Sequence, residues 1–176
     1  MKLPKVPQCT TTSFAFSGIE RAIREGFARR KFGQAEIEQV VETFGHDPPH
    51  CVYCGSSEVR RWDHVVPVRE GGETVLGNIV PACARCDDSK QHRPFAEWMQ
   101  GDAPLSPKNR GVKDIVERIA RIRTYAEEFE YTPSPIEDRF EGDEKERLEA
   151  IRATLAKARA DLDALIADYR SRKGQV

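Results

Sequence analysis

Residues 83–90, with the sequence CARCDDSK, form the densest group of potential metal ligands in the chain. Cys83 and Cys86 make a CxxC pair there, and Cys51 and Cys54 make a second pair, with 28 residues between the two pairs. Four thiolates complete the tetrahedral coordination of a structural zinc ion. A redox-active CxxC motif would account for one pair and leave the other unexplained. The spacing therefore predicts a closed zinc site with four cysteine ligands.

The segment between the two cysteine pairs contains polar side chains that could carry out acid–base and metal chemistry. Asp63 is followed directly by His64 within the run RRWDHVVP, and Asn78 lies in the run LGNIVP. Adjacent residues of a regular strand point to opposite faces. Asp63 and His64 can therefore serve one site only where the strand bends or ends, and the nearby Pro67 is typical of such a position.

Together, the motifs CVYC, WDH, GN and CARCDDSK resemble the HNH endonucleases over about residues 48–93. That family has a ββα-metal core with a histidine on the first strand, an asparagine in the following loop and a third site residue on the helix. His64, Asn78 and Asp87 stand in these three positions. The resemblance implies hydrolysis of phosphodiester bonds in DNA, with products that carry a 5′-phosphate and a 3′-hydroxyl.

Hydrolysis of a phosphodiester needs an activated water and a cation that stabilises charge on the leaving oxygen. His64 is expected to be the general base, because imidazole has a free pKa of about 6.5. Asn78 is expected to orient the imidazole ring from its other side. Asp63 and Asp87 are expected to hold one catalytic Mg²⁺ or Mn²⁺, because oxygen ligands favour hard ions.

The helix position departs from the family pattern, because Asp87 stands where histidine or asparagine is usual. Asp88 is the alternative ligand, but a helix turns it about 100° away from the face of Asp87, so the spacing favours Asp87. Lys90 shares that face and is assigned either a phosphate contact or a solvated position. Trp62, beside Asp63, is expected to pack beneath the strand rather than to stack on a base.

Charge restricts how the chain could contact nucleic acid. Its 176 residues carry a net charge of −1, and the pI is near 6.4, which excludes a uniformly basic coat. Binding to DNA must then use local patches. Outside the core, one such patch is predicted from the following basic residues: Arg21, Arg24, Arg29, Arg30 and Lys31.

Location is inferred from hydropathy and cysteine usage. The sequence has no run of about 18 apolar residues that would predict a membrane span. Its first residues, MKLPKVPQCTTTSF, lack the apolar centre of a signal peptide. Paired cysteines that bind metal rather than form disulfides are typical of a reducing compartment, so a cytoplasmic location is expected.

The fold class predicted from these patterns is α+β. Residues 48–100 are expected to form a small ββα-metal, treble-clef-like core with zinc knuckles, preceded by a helical segment over 1–47. Residues 101–176 are expected to add two helices, because apolar residues recur at steps of three and four over 112–129 and 144–172. These helices either form a hairpin, cap the core, or form a coiled coil with a second copy or another protein.

Two classes of function remain open. The first is a metal-dependent endonuclease, acting alone or as a subunit of a restriction or antiphage defence system. The second is a catalytically silent zinc module that docks DNA or a protein. A silent module would be expected to lose His64 or the metal ligands, and none of them is missing.

Overall fold

The computed structural model describes residues 11–27, 32–45 and 48–174. The basic residues Arg29, Arg30 and Lys31 lie outside the described residues. Within the described ranges, the elements in chain order are α1 (Thr12–Gly26), α2 (Gln34–Phe44), β1 (Val59–His64), β2 (Ile79–Cys83), α3 (Ala84–Lys90), α4 (Phe95–Gln100), α5 (Ile115–Glu128) and α6 (Glu144–Arg172). Short 3₁₀ turns lie at Val68–Glu70, Lys108–Arg110 and Ile136–Arg139.

Contacts divide the chain into two compact units. One unit is Ala28–Ile136, and the other combines Met1–Phe27 with Glu137–Val176. The helices α2 and α5, which the sequence placed in flanking segments, lie within the unit that contains both cysteine pairs. We refer to Ala28–Ile136 as the central unit.

The sheet of the central unit has two antiparallel strands, with Asp63 opposite Val80 and His64 opposite Ile79. All five residues of β2 are buried, as expected for the apolar run IVPAC. Helix α3 begins directly after Cys83, which ends β2. Two strands and a helix therefore follow one another as predicted, and Asp63 and His64 are the last two residues of β1.

The flanking helices complete the hydrophobic core of the central unit. Phe44 of α2 and Tyr125 of α5 pack with ring centroids 5.1 Å apart, and the Tyr125 hydroxyl donates to the carbonyl of Ile79 at 3.0 Å. Ile119 and Ile122 of the predicted α5 seam are buried in this core. The seam is thus used inside the central unit, and the predicted hairpin of the two C-terminal helices is not confirmed.

In the other unit, α6 packs against α1. Thr12 of α1 donates to Asp163, and Arg152 of α6 lies 3.5 Å from Glu20. Leu148 is buried, but several apolar residues of the predicted α6 seam are exposed, namely Ile151, Leu162, Leu165 and Tyr169. No helix in the described ranges combines the length and apolar character needed to cross a membrane.

Candidate zinc site and nuclease site

The structure brings the four paired cysteines together. Their Sγ atoms all lie within 4.8 Å of one another, and those of Cys54 and Cys83 are 3.7 Å apart. Tetrahedral zinc with Zn–S bonds of about 2.3 Å requires sulfurs about 3.8 Å apart. The donor set and its spacing therefore fit a structural zinc ion.

The first cysteine pair lies on a tight turn. The amide of Gly55 donates to the carbonyl of Cys51 at 2.8 Å, and the Cys51 amide donates to the carbonyl of Ser56 at 2.8 Å. Gly55 has φ +76°, and a Cβ built there would lie 2.7 Å from the guanidinium of Arg118. Glycine is favoured here because it adopts positive φ without steric cost, and a side chain at this position would also displace the Arg118 guanidinium.

The pKa values of Cys51, Cys54 and Cys86 depend on their neighbouring thiols. Hydrogen bonding with Cys54 raises the pKa of Cys51 to about 12, and hydrogen bonding with Cys51 lowers the pKa of Cys54. The same two neighbours raise the pKa of Cys86. Ionising all four thiols requires a compensating cation, which is the chemistry that zinc supplies to a set of four cysteines.

Arg110 adds a positive charge that the motifs did not indicate. Its Nη2 donates to Sγ of Cys86 at 2.8 Å. Burial lowers the pKa of Arg110, but the charges of Cys86 and Cys54 outweigh burial and raise it overall. A lone arginine 24 residues beyond Cys86 carries no signal in the sequence, because only folding brings the two together.

Asp63 is buried, with 7% of its surface exposed, and it has two donors. The Tyr53 hydroxyl donates to its Oδ2 at 2.6 Å, and Nζ of Lys90 lies 3.1 Å from the same oxygen. Burial raises the pKa of Asp63, although Lys90 and Tyr53 act in the opposite direction. Burial also raises the pKa of Tyr53, so its hydroxyl remains a donor.

Lys90 takes neither of the positions expected from the sequence. It is fully buried, and its Nζ donates to the backbone carbonyl of His64 at 2.6 Å as well as to Asp63. The short helix α3 packs against β1, and this turns the Lys90 side chain under the strand instead of toward solvent. Lys90 therefore ties the two adjacent residues Asp63 and His64 to α3.

His64 is contacted by a residue that sequence reasoning missed. Its Nε2 lies 3.0 Å from the hydroxyl of Thr74. Asn78, predicted to orient the ring, instead accepts from the Val66 amide at 2.8 Å and donates to the carbonyls of Val66 and Glu73 at 3.2 and 2.8 Å. Asn78 is fully buried and closes the loop between the strands, and this loop presents Thr74 to the imidazole.

Asp87 and Asp88 of α3 both form ion pairs with Arg61. Nη1 of Arg61 donates to Asp87 at 2.7 Å and to Asp88 at 2.5 Å. The Asp87 side chain is 27% exposed and that of Asp88 is 61% exposed. Burial is the main cause of the raised pKa of Asp63, and the nearby negative charge of Asp87 acts in the same direction.

Both predicted ligands of the catalytic metal are thus ion-paired, Asp63 with Lys90 and Asp87 with Arg61. Among the described residues, only the four cysteines form a group of three or more side chains able to hold a metal ion. Mg²⁺ usually keeps several waters and binds protein through one or two carboxylates. In this structure, Lys90 and Arg61 thus stand where a cation bound to Asp63 and Asp87 would have to compete.

Two strands and a helix thus carry a cluster of four cysteines and an Asp-His pair at the end of the first strand. Residues 51–93 match the family model of the HNH endonucleases, and this range contains all of these features. The chain therefore carries an HNH endonuclease domain, and the resemblance seen in the sequence is confirmed.

Two curated relatives are similar over this region. The chain is 36% identical over 73 residues to the CRISPR-associated endonuclease Cas9 of Actinomyces naeslundii and 38% identical over 72 residues to that of Corynebacterium diphtheriae. Each match covers 39% of this chain and 6% of the relative, so the chain spans only a small part of either protein. No solved structure matches the chain.

Proposed function

We propose that this protein is a metal-dependent endonuclease that hydrolyses phosphodiester bonds in DNA. The observation that carries the proposal is the arrangement at the end of β1 within the HNH domain. Asp63 is held there by Tyr53 and Lys90, and the imidazole of His64 lies against Thr74. Both curated relatives are named as endonucleases, which agrees with this activity.

In the proposed mechanism, His64 takes a proton from the attacking water, since the ordinary pKa of imidazole suits proton transfer near neutral pH. Thr74 orients the ring through Nε2, and Lys90 fixes the backbone at His64. Asn78 acts indirectly, because its hydrogen bonds fix the loop that carries Thr74. The products carry a 5′-phosphate and a 3′-hydroxyl, as in the HNH family.

Asp63 and Asp87 would hold the Mg²⁺ or Mn²⁺ ion, which when bound supplies positive charge to the leaving oxygen. Asp87 is favoured over Asp88 because its side chain is 27% exposed and that of Asp88 is 61% exposed. Arg61 must leave Asp87 for this to happen. The Arg61 side chain is 42% exposed, so water screens its pair with Asp87 and a metal ion can compete for that carboxylate, whereas at Asp63 the ion would bind beside the buried Lys90.

Plasmid nicking tests the proposed activity. We expect nicking with Mg²⁺ and none with chelator, and we expect His64→Ala to cut roughly 100- to 10,000-fold more slowly, the usual contribution of a general base. His92→Ala is the matched control, because His92 is an exposed histidine outside the strand that carries His64. Equal rates for the wild-type protein and His64→Ala would contradict the mechanism.

Tyr131 lies outside the range 51–93 that matches the family model, and it contacts the loop between the two strands. Its hydroxyl accepts from the amide of Glu73 at 3.1 Å, and a Cβ at Gly77, where φ is +85°, would lie 2.4 Å from Cβ of Tyr131. The chain after α5 therefore packs directly on the loop that carries Thr74 and Asn78.

Tyr131→Phe removes this hydrogen bond and keeps the ring. We expect it to lower kcat roughly 10- to 100-fold through misplacement of the loop, with KM unchanged and a loss of about 1 kcal/mol in the free energy of unfolding. Steady-state kinetics and urea unfolding measure these effects. Tyr169→Phe on exposed α6 is the control, and an unchanged kcat in Tyr131→Phe would show that the contact does not position the site.

A catalytically silent module that docks DNA or a protein is the second candidate. The ion pairs of Asp63 with Lys90 and of Asp87 with Arg61 favour it, because they leave neither carboxylate without a cation. Such a module would bind DNA and leave plasmid intact with every divalent metal. Nicking that requires His64 would exclude it.

The proposal includes a structural zinc ion, a cytoplasmic location and a role in a defence system. A zinc ion would occupy the cluster of four cysteines in a treble-clef-like core, and the cysteine usage suits the cytoplasm. A role in restriction or antiphage defence agrees with the CRISPR-associated names of the relatives. The exposed apolar residues of α6 would contact a second copy or another protein, and light scattering after size-exclusion chromatography would distinguish a monomer from a dimer.

A further inference from the structure

Trp62 is more exposed than its sequence context indicates. The sequence predicted that it packs beneath β1, but 38% of its surface is open to solvent. It follows two exposed arginines, Arg60 and Arg61, on the same strand. An aromatic ring that is open to solvent and has a basic residue beside it can stack on a base of a nucleic acid while the charge contacts the backbone.

The strand geometry places Trp62 next to the proposed general base. Residues two apart on a strand share a face, so Trp62 and His64 lie on the same side of β1, while Asp63 points the other way into the buried contacts with Tyr53 and Lys90. The register between the strands is regular over this stretch, with Trp62 opposite Pro81 and His64 opposite Ile79. At about 3.4 Å per residue, the two positions are about 6.8 Å apart, or about two base steps along a DNA strand.

The indole is supported from one direction by Phe32. The two rings meet edge to face, with centroids 6.0 Å apart and an interplanar angle of 63°. This contact restricts the indole, while more than a third of the Trp62 surface remains open. A ring that is held by a neighbour and still exposed loses little conformational entropy when a flat ligand stacks on it.

We propose that Trp62 stacks on an unpaired base of the DNA strand, within one or two nucleotides of the phosphate that His64 addresses. This inference rests on the proposed nuclease function and adds a preference for substrate that is single-stranded at the cut. Stacking on an aromatic side chain needs a base with an open π-face, which a base inside an intact duplex does not offer. Arg60, which is exposed and two residues before Trp62 on the same face of β1, supplies positive charge for the backbone of the same strand.

Intrinsic fluorescence gives a direct readout of this contact. The chain has two tryptophans, and the other, Trp98, is 2% exposed and donates to the Ser89 hydroxyl at 2.9 Å. Titration of a single-stranded oligonucleotide in the presence of chelator is expected to quench the Trp62 emission. In Trp62→Phe the same oligonucleotide is expected to bind, as seen by polarisation of a labelled strand, without quenching the remaining tryptophan. Quenching that persists in Trp62→Phe would overturn the stacking contact.

Affinity provides the second readout. Trp62→Ala is expected to weaken binding of the single strand roughly 5- to 150-fold, with Trp62→Phe retaining most of the affinity because it keeps an aromatic face. Tyr169→Ala is the matched control, since Tyr169 is also an exposed aromatic residue and lies on α6. Scanning an abasic nucleotide along the strand is expected to reproduce the loss for the wild-type protein at one position and to have no further effect on Trp62→Ala.

The outcomes separate this inference from the proposed function. Wild-type cleavage with affinity unchanged in Trp62→Ala would overturn the stacking role and leave the nuclease intact. Binding that depends on Trp62 without cleavage by the wild-type protein would overturn the nuclease and support the stacking role. Trp62-dependent binding of a protein, with no effect on any oligonucleotide, would also overturn the stacking role.

Discussion

Cys83→Ser is expected to release zinc and unfold the central unit. Cys83 ends β2 and directly precedes α3, and its Sγ lies 3.7 Å from that of Cys54. Structural zinc in small domains contributes about 10–16 kcal/mol of apparent binding free energy, whereas whole domains are stable by only about 5–15 kcal/mol. Loss of the zinc ion therefore removes an interaction as large as the stability of the fold.

Metal analysis and thermal unfolding measure this effect. The wild-type protein is expected to hold one zinc ion that survives mild EDTA treatment, and Cys83→Ser is expected to lose both the ion and the cooperative transition of the central unit. Cys9→Ser is the matched control, because Cys9 belongs to neither pair. A full zinc content and an unchanged melting curve in Cys83→Ser would refute the structural role of the site.

Lys90→Met is expected to destabilise the protein by about 3–5 kcal/mol, because it leaves the buried carboxylate of Asp63 without its cation. The Tyr53 hydroxyl remains as a donor at 2.6 Å but carries no charge. The carbonyl of His64 also loses its donor at 2.6 Å. Denaturant unfolding measures the loss in the free energy of unfolding.

A double variant separates stability from chemistry. Asp63→Asn combined with Lys90→Met removes both charges, so most of the stability is expected to return, since a neutral pair is less costly to bury. This double variant is not expected to cleave DNA even though it folds, because Asp63 is the proposed metal ligand. Lys108→Met is the control, since the pair of Lys108 and Asp102 is exposed and screened by water. If Lys90→Met unfolds at the wild-type denaturant concentration, the buried pair has no structural role.

Helix α5 shows which features of the fold the sequence predicts and which it does not. Its stripe of apolar residues correctly predicted a helix with one buried face, because periodicity reports which residues avoid water. The same stripe could not identify what covers that face. Ile119, Ile122 and Tyr125 pack into the central unit, whereas the seam by itself was compatible with a hairpin, a cap on the core or a coiled coil.

Lys90 shows the same limit at the site. Its three-residue spacing from Asp87 placed it on a helix face, but the packing of α3 against β1 decided that this face is buried. Thr74, Tyr131 and Arg110 were missed because each meets its partner through a loop or across a long stretch of chain. Trp62 was assigned to the interior because large aromatic side chains are usually buried, yet it lies at the surface.

By itself, the sequence determined the cysteine pairs, the order of two strands and a helix, and the HNH family, because these depend on residue types at short spacing. The tertiary structure decided which partner each charged group has. It placed Lys90 under Asp63, gave Arg61 to Asp87, set Thr74 against His64, and left Trp62 open. The physical reason is that ion pairs, hydrogen bonds and burial depend on distances in space, which become defined only when the loops and helices pack.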